Sequence, residues 1–266
     1  MSALQIKNNG WGAAFMNLFD LTGKTAIVTG GAVGLGGGMA LGLAKAGADV
    51  AIVTSRDKTR EVHNQIEAMG RKAHTIVADL SDESKLPQVI NETLEVFGKI
   101  DILVNNSGII RRTPAADHSA KDWHDVINLN LNSVFFLCQL AGREMIKQGS
   151  GKIINIASML SYQGGINVPG YTAAKHGVAG ITKALANEWA GKGINVNAIA
   201  PGYMSTDNTA ALRADENRNK AILERIPAGR WGTTEDLQGP VIFLASAASD
   251  YMSGHVLDVD GGWMSR

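Results

Sequence analysis

"KTAIVTGGAVGLGGG", residues 24–38, decides the fold. It begins as a run of Thr, Ala, Ile and Val without polar alternation, the pattern of a strand buried on both faces of a sheet. It passes directly into a glycine turn, Gly30, Gly34 and Gly36, and then into "GGGMALGLAKAG", which reads as a helix. Glycine permits the tight turn and lets backbone N–H groups approach a pyrophosphate at a helix N-terminus. Flexible loops are also rich in glycine, so position carries the argument. A turn between the first strand and the first helix is where a dinucleotide site belongs, although the spacing is Gly-x-x-x-Gly-x-Gly rather than Gly-x-Gly-x-x-Gly. Gly31, Gly37 and Gly38 are expected to serve helix packing.

Outward from this stretch, strand-like runs recur at 49–55, 72–79, 100–106, 151–158, 194–201 and 255–262. Helical stretches such as "SKLPQVINETLEVFG" and "KHGVAGITKALANEWAGKG" lie between them. The alternation predicts an α/β fold: a single-domain, Rossmann-type, doubly wound parallel seven-stranded sheet with helices on both faces. Residues 1–20 read as a leader whose Trp11, Phe15 and Phe19 dock on the body or on a neighbouring subunit, and residues 21–266 as the catalytic domain. Residues 202–231 break the rhythm. They are polar, follow a strand, and are expected to be helical in two pieces, at the place where a lid or substrate wall would sit.

The chain has 266 residues, 45% hydrophobic and 19% charged, enough for a large core. Its 25 basic and 25 acidic residues cancel, so no net basic field draws nucleic acid or anionic lipid. No run approaches the roughly 20 apolar residues of a membrane span, and the start lacks a secretion signal; a cytoplasmic protein is expected. The one cysteine, Cys138, lies in "SVFFLCQL" and reads as a small buried hydrophobe. The six histidines show no metal-ligand spacing, so no metal is expected.

Chemistry centres on "PGYTAAKHG", residues 169–177, where Tyr171 and Lys175 stand one helical turn apart. That pair arises often by chance. With the glycine turn, "NNSG" at 105–108, Ser158 at the end of the fifth strand, "PG" at 201–202, Thr206, and "DGG" at 260–262, it forms an ordered set, each motif at a strand end. On these residues the chain resembles the short-chain dehydrogenase/reductase family over essentially 18–266, with Ser107 where the family has alanine. The resemblance implies hydride transfer with Tyr171 as proton donor, Lys175 lowering the phenol's pKa, and Ser158 holding the substrate oxygen. It also implies Asn130, in "NLNLNSVFF", as a catalytic residue linking the lysine to solvent; helix packing is the alternative. Tyr162 lacks a lysine four residues on and reads as packing or pocket wall.

By the same resemblance the cofactor lies along Gly30, Gly34, Leu35, Gly36, Thr54, Ser55, Arg56, Asp79, Leu80, Asn105, Asn106, Ser107 and Gly108. Tyr171, Lys175, Pro201, Gly202, Met204 and Thr206 would face the nicotinamide. After the second strand stands Thr54-Ser55-Arg56, with no carboxylate for a ribose 2′-hydroxyl. Arg56 suits a 2′-phosphate but falls past the expected position. The resemblance favours NAD(H), and NADP(H) stays open. Longer stretches, such as "INIASMLSYQGG" and "DGGW", resemble the 2-dehydro-3-deoxy-D-gluconate 5-dehydrogenases of uronate breakdown, with the gluconate 5-dehydrogenases as the alternative. A regulator of the same fold without catalysis is disfavoured because Ser158, Tyr171 and Lys175 are all present. A sugar acid needs a carboxylate partner; Arg111, Arg112 and Arg213 are the candidates, and Gln163 and Asn167 the candidates for its hydroxyls. The resemblance implies a homotetramer, the usual state of family members, built through helices that would span about 119–147 and 170–192 here.

Overall fold

The computed structural model describes residues 18–56 and 60–265, so Trp11 and Phe15 lie outside the described residues. Seven parallel strands form one sheet in the order β3-β2-β1-β4-β5-β6-β7. They are β1 (Thr25–Thr29), β2 (Asp49–Thr54), β3 (Ala73–Val77), β4 (Ile102–Asn105), β5 (Gly151–Ile156), β6 (Ile194–Pro201) and β7 (Val256–Val259). Every expected strand is present, trimmed by up to three residues at an end. The helices among the described residues are α1 (Gly34–Lys45), α2 (Glu61–Ala68), α3 (Leu86–Phe97), α4 (Ala120–Ile127), α5 (Ser133–Gln148), α6 (Pro169–Trp189), α7 (Ala210–Ala214), α8 (Glu216–Arg225) and α9 (Gln238–Ala245).

Every residue of β1 and β4 is buried, which is why these strands read as unbroken apolar runs. Two hydrophobic cores cover the sheet. Val89, Leu137, Met145, Val178 and Leu185 from α3, α5 and α6 belong to one; Met39, Leu43, Ile66, Val241 and Leu244 from α1, α2 and α9 belong to the other. Leu18 is tied to the body, its carbonyl accepting from Ala248 N at 3.2 Å.

The strand order reverses at β1, whose neighbours are β2 and β4. A crevice opens at the carboxyl ends of such a pair. The β1–β4 seam is fastened at both ends. At the amino end the buried Asp101 carboxylate accepts from Thr25 N at 2.9 Å and stands 3.3 Å from Lys24 Nζ and 3.0 Å from Lys99 Nζ. At the carboxyl end Thr29 Oγ1 accepts from Asn106 N at 2.8 Å and from Ser107 N at 3.0 Å.

Candidate active site

Above the seam lies a cleft of about 780 Å³. At its glycine end Gly30 has φ +63°, and a Cβ there would stand 2.8 Å from Asn106 Nδ2. Gly34, at the start of α1, has φ +56°, and Val33 caps that helix with no side-chain hydrogen bond. A turn with glycine at Gly30, Gly31 and Gly34 thus meets a helix N-terminus with open N–H groups, the combination a pyrophosphate requires. Leu35 lines the cleft with them, as do Thr54, Ser55 and Arg56 from the end of β2 and Asp79 and Leu80 from beyond β3. Asn106, Ser107, Gly108 and Arg111 follow from the β4 loop, then Ser158, Tyr171 and Lys175, then Pro201, Gly202, Met204 and Thr206 beyond β6. The residues present therefore fit a dinucleotide along its whole length.

Some expected members stand elsewhere. Gly36 is buried under the turn, where a Cβ would collide with the Gly30 carbonyl oxygen; it lets α1 pack on the turn and does not line the cleft. Asn105 points beneath the sheet, donating to Asn155 Oδ1 at 2.9 Å and to Cys138 Sγ at 3.2 Å. Burial in that cluster pushes the Cys138 thiol up to about 12, against the opposing hydrogen bonds of Asn155 and Asn105, as befits an inert core residue. The Thr54 hydroxyl closes a turn, donating to the Arg56 carbonyl at 3.0 Å, while Ser55 and Arg56 are exposed.

Ser158, Tyr171 and Lys175 are brought to one wall by linked hydrogen bonds. Ser158 caps the short turn that follows β5: its Oγ accepts from Leu160 N at 3.1 Å, and its N–H donates to Ser161 Oγ at 3.3 Å. Ser161 Oγ donates in turn to the Lys175 carbonyl at 2.7 Å, tying α6 to the end of β5. Lys175 Nζ donates to the Ile156 carbonyl at 2.5 Å and lies 5.6 Å from the Tyr171 ring centre. Burial lowers the Lys175 ammonium to about 8. The Tyr171 phenol is held above its ordinary value, chiefly by burial; a hydrogen bond with Ser158 and then the charge of Arg112 pull it back. Lys175 is not among the groups that pull this phenol back; its ammonium is itself destabilised by burial and turned to a backbone carbonyl.

Asn130 is fully buried inside a π-helical turn, Asn128–Asn132, that joins α4 to α5. Its Oδ1 accepts from Ile109 N and its Nδ2 donates to Ile109 O, both at 2.9 Å. It pins the loop carrying Ser107 and Gly108 rather than touching Lys175. Of the substrate candidates, Arg111 lines the cleft but stands 3.5 Å from both Asp122 and Asp125. Arg112 is exposed, with no ion pair among the described residues, and its charge reaches Tyr171. Arg112, Gln163, Asn167 and Arg213 do not line the cleft. Gln163 Oε1 accepts from Trp263 Nε1 at 3.2 Å; Asn167, at φ +62°, accepts through its carbonyl from Thr113 N at 2.9 Å; Arg213 donates to the Thr206 carbonyl at 3.0 Å. Tyr162 packs on β7, its hydroxyl donating to the Val256 carbonyl at 3.3 Å. Sequence reasoning missed Asp125, Asp207 and Thr209, which line the cleft; the signal for the last two was their place directly beyond Thr206.

A family model described as enoyl-(acyl carrier protein) reductase matches residues 30–264. The chain belongs to the short-chain dehydrogenase/reductase family. Membership makes it an NAD(P)-dependent oxidoreductase acting on CH–OH groups. Among this family it is 57% identical, over 94% of its own length and 99% of the relative's, to a 2-dehydro-3-deoxy-D-gluconate 5-dehydrogenase of Dickeya dadantii. A solved structure from Agrobacterium tumefaciens, proposed to be a 2-deoxy-D-gluconate 3-dehydrogenase and holding NADP, is 54% identical with TM-score 0.88, covering 94% of this chain and 100% of that one. A gluconate 5-dehydrogenase of Burkholderia cenocepacia with NADP and tartrate is 40% identical with TM-score 0.91, covering 95% and 99%. The expected preference for NAD(H) finds no support in these short-chain relatives. Among the described residues no helix is long and apolar enough to cross a membrane.

Proposed function

We propose that the chain interconverts the C5 alcohol and ketone of a six-carbon sugar acid, 2-dehydro-3-deoxy-D-gluconate. The observation that carries this substrate is 57% identity to an enzyme of that name over 94% of this chain. The geometry agrees with it. Ser158, Tyr171 and Lys175 share one wall of the cleft. Arg112 stands outside the cleft's lining, exposed and with no ion pair among the described residues, and its charge is felt at Tyr171. A guanidinium binds a carboxylate through two parallel hydrogen bonds. Arg112 is therefore the residue we assign to the acid group, ahead of Arg111, whose charge already faces Asp122 and Asp125.

A nicotinamide held in the cleft would supply or accept the hydride. Tyr171 gives its phenolic proton to the ketone oxygen during reduction and takes it back during oxidation. Ser158 donates a hydrogen bond to that oxygen as charge builds on it. Thr206, Asp207 and Thr209 wall the substrate side, and the insertion behind them acts as the lid. Ser55 and Arg56 offer no negative charge against a 2′-phosphate, so the enzyme accepts NADP(H) as well as NAD(H). Gluconate is the second substrate reading, favoured by the likeness to the Burkholderia enzyme.

The test is kcat/KM for 2-dehydro-3-deoxy-D-gluconate and for D-gluconate, each with NAD and with NADP. The first sugar acid should be preferred by at least about tenfold, which is about 1.4 kcal/mol of transition-state binding. Preference for D-gluconate would replace the substrate assignment with the second reading. Activity confined to NAD would overturn the cofactor statement.

A further inference from the structure

We propose that Trp263 is a positioning residue for the substrate side of the cleft, tying the insertion to the loop between Ser158 and Tyr171 so that the two walls keep one spacing. The inference rests on the function proposed above. Trp263 is buried, and its indole meets three separate segments. The Arg225 guanidinium, at the end of α8, lies 3.9 Å from its ring centre. The Tyr203 ring, next to Gly202, lies 4.7 Å away. Its Nε1 donates to Gln163 Oε1 at 3.2 Å.

Tyr203 also meets Trp231 edge-on at 5.5 Å, and Trp231 Nε1 donates to Asn219 Oδ1 at 2.7 Å. The far end of the insertion is thus held by an aromatic trio. Its near end is held separately, by Thr209 Oγ1 donating to the Met204 carbonyl at 2.6 Å and by Arg213 on Thr206. Trp263 is the place where this trio reaches the other wall. An indole N–H is a donor only, so it selects the carbonyl end of the Gln163 amide and fixes that side chain. Neither Trp263 nor Gln163 lines the cleft, so any effect on the substrate is transmitted through the segments they join.

The test uses the full-length chain with Trp263→Ala, Trp263→Phe, Gln163→Leu and the Gln163→Leu/Trp263→Phe double variant. Trp263→Ala should raise KM for 2-dehydro-3-deoxy-D-gluconate about tenfold with kcat little changed, the mark of lost uniform binding. NADPH affinity, read by fluorescence titration, should hold. Tryptic cleavage after Arg218 and Lys220, both exposed on α8, should accelerate. Phenylalanine keeps an aromatic ring but removes the N–H together with part of the indole. Gln163→Leu should therefore raise KM about threefold, Trp263→Phe at least as much, and the double variant no further than Trp263→Phe alone, because the bond from Nε1 to Gln163 is already gone in it.

Unchanged KM and unchanged cleavage would overturn the proposal. So would a parallel loss of KM, NADPH affinity and resistance to cleavage along the whole chain, which is the signature of a packing residue. Should Trp263→Ala fail to fold, additivity in the double variant is the result that refutes the tie. Absence of turnover with either sugar acid would sink the proposed substrate, while cleavage at Arg218 and Lys220 would still decide whether Trp263 joins the walls.

Discussion

Burial holds the Tyr171 phenol above its ordinary range, and only groups that favour the phenolate bring it back. Oxidation of the alcohol needs the phenolate as base, so kcat/KM in that direction should climb with pH through the phenol's pKa in the free enzyme. Ser158 and Arg112 both lower that pKa, Ser158 more. Ser158→Ala and Arg112→Ala should therefore both move the climb to higher pH, with the serine variant moving further. A shift to lower pH in either would refute the assignment. Tyr171→Phe should keep the cofactor bound and lose most turnover in both directions. The tyrosine, lysine and serine were legible because each stands at a strand end in an ordered set of motifs. The charge of Arg112 on Tyr171 and the turning of Lys175 to the Ile156 carbonyl were not, because both depend on rotamers and burial that spacing does not encode.

At the scale of elements, the π-helical turn between α4 and α5 is the decisive departure from regularity. Such turns recur at functional sites. Here the turn sends Asn130 inward to satisfy both backbone groups of Ile109. Asn130→Ala should strand that N–H and C=O and destabilise the chain by about 1–3 kcal/mol, seen as a lower denaturant midpoint with an unchanged m-value. Asn130→Asp, which keeps only the acceptor, should fall between. A midpoint unchanged for Asn130→Ala would mean water replaces the side chain and the loop needs no pin. This element could not be read from the chain: "NLNLN" offers three asparagines, and a single wide turn leaves the 3.6-residue period on either side intact. The strands were readable because they are buried on both faces, and the two short helices of the insertion because the polar run after β6 is too long for a turn. Thr206 was placed at the cleft by its motif, whereas Arg213, also offered as a site residue, bonds back to the Thr206 carbonyl and does not line the cleft, which only the fold shows.

On the scale of the whole molecule, α5 and α6 leave Phe135, Phe136 and Leu140 only partly covered on the helical face of one core. We expect four copies to assemble through these helices, and light scattering at micromolar concentration should report a mass about four times that of the 28.1 kDa chain. A monomer there would refute it. The double fastening of the β1–β4 seam bears on how the chain acquires this shape. The bond from Thr25 N to Asp101 joins residues 76 apart, so the central pair of the sheet closes a very long loop, and long-range closure is the slow part of folding. Neither half of the sheet holds a finished dinucleotide cleft, because the floor of the cleft is the seam. Competence to bind cofactor should therefore arise in one late kinetic step rather than gradually. Asp101→Ala should slow refolding and delay the recovery of NADPH binding by the same factor, while the early gain of helical circular dichroism keeps its rate.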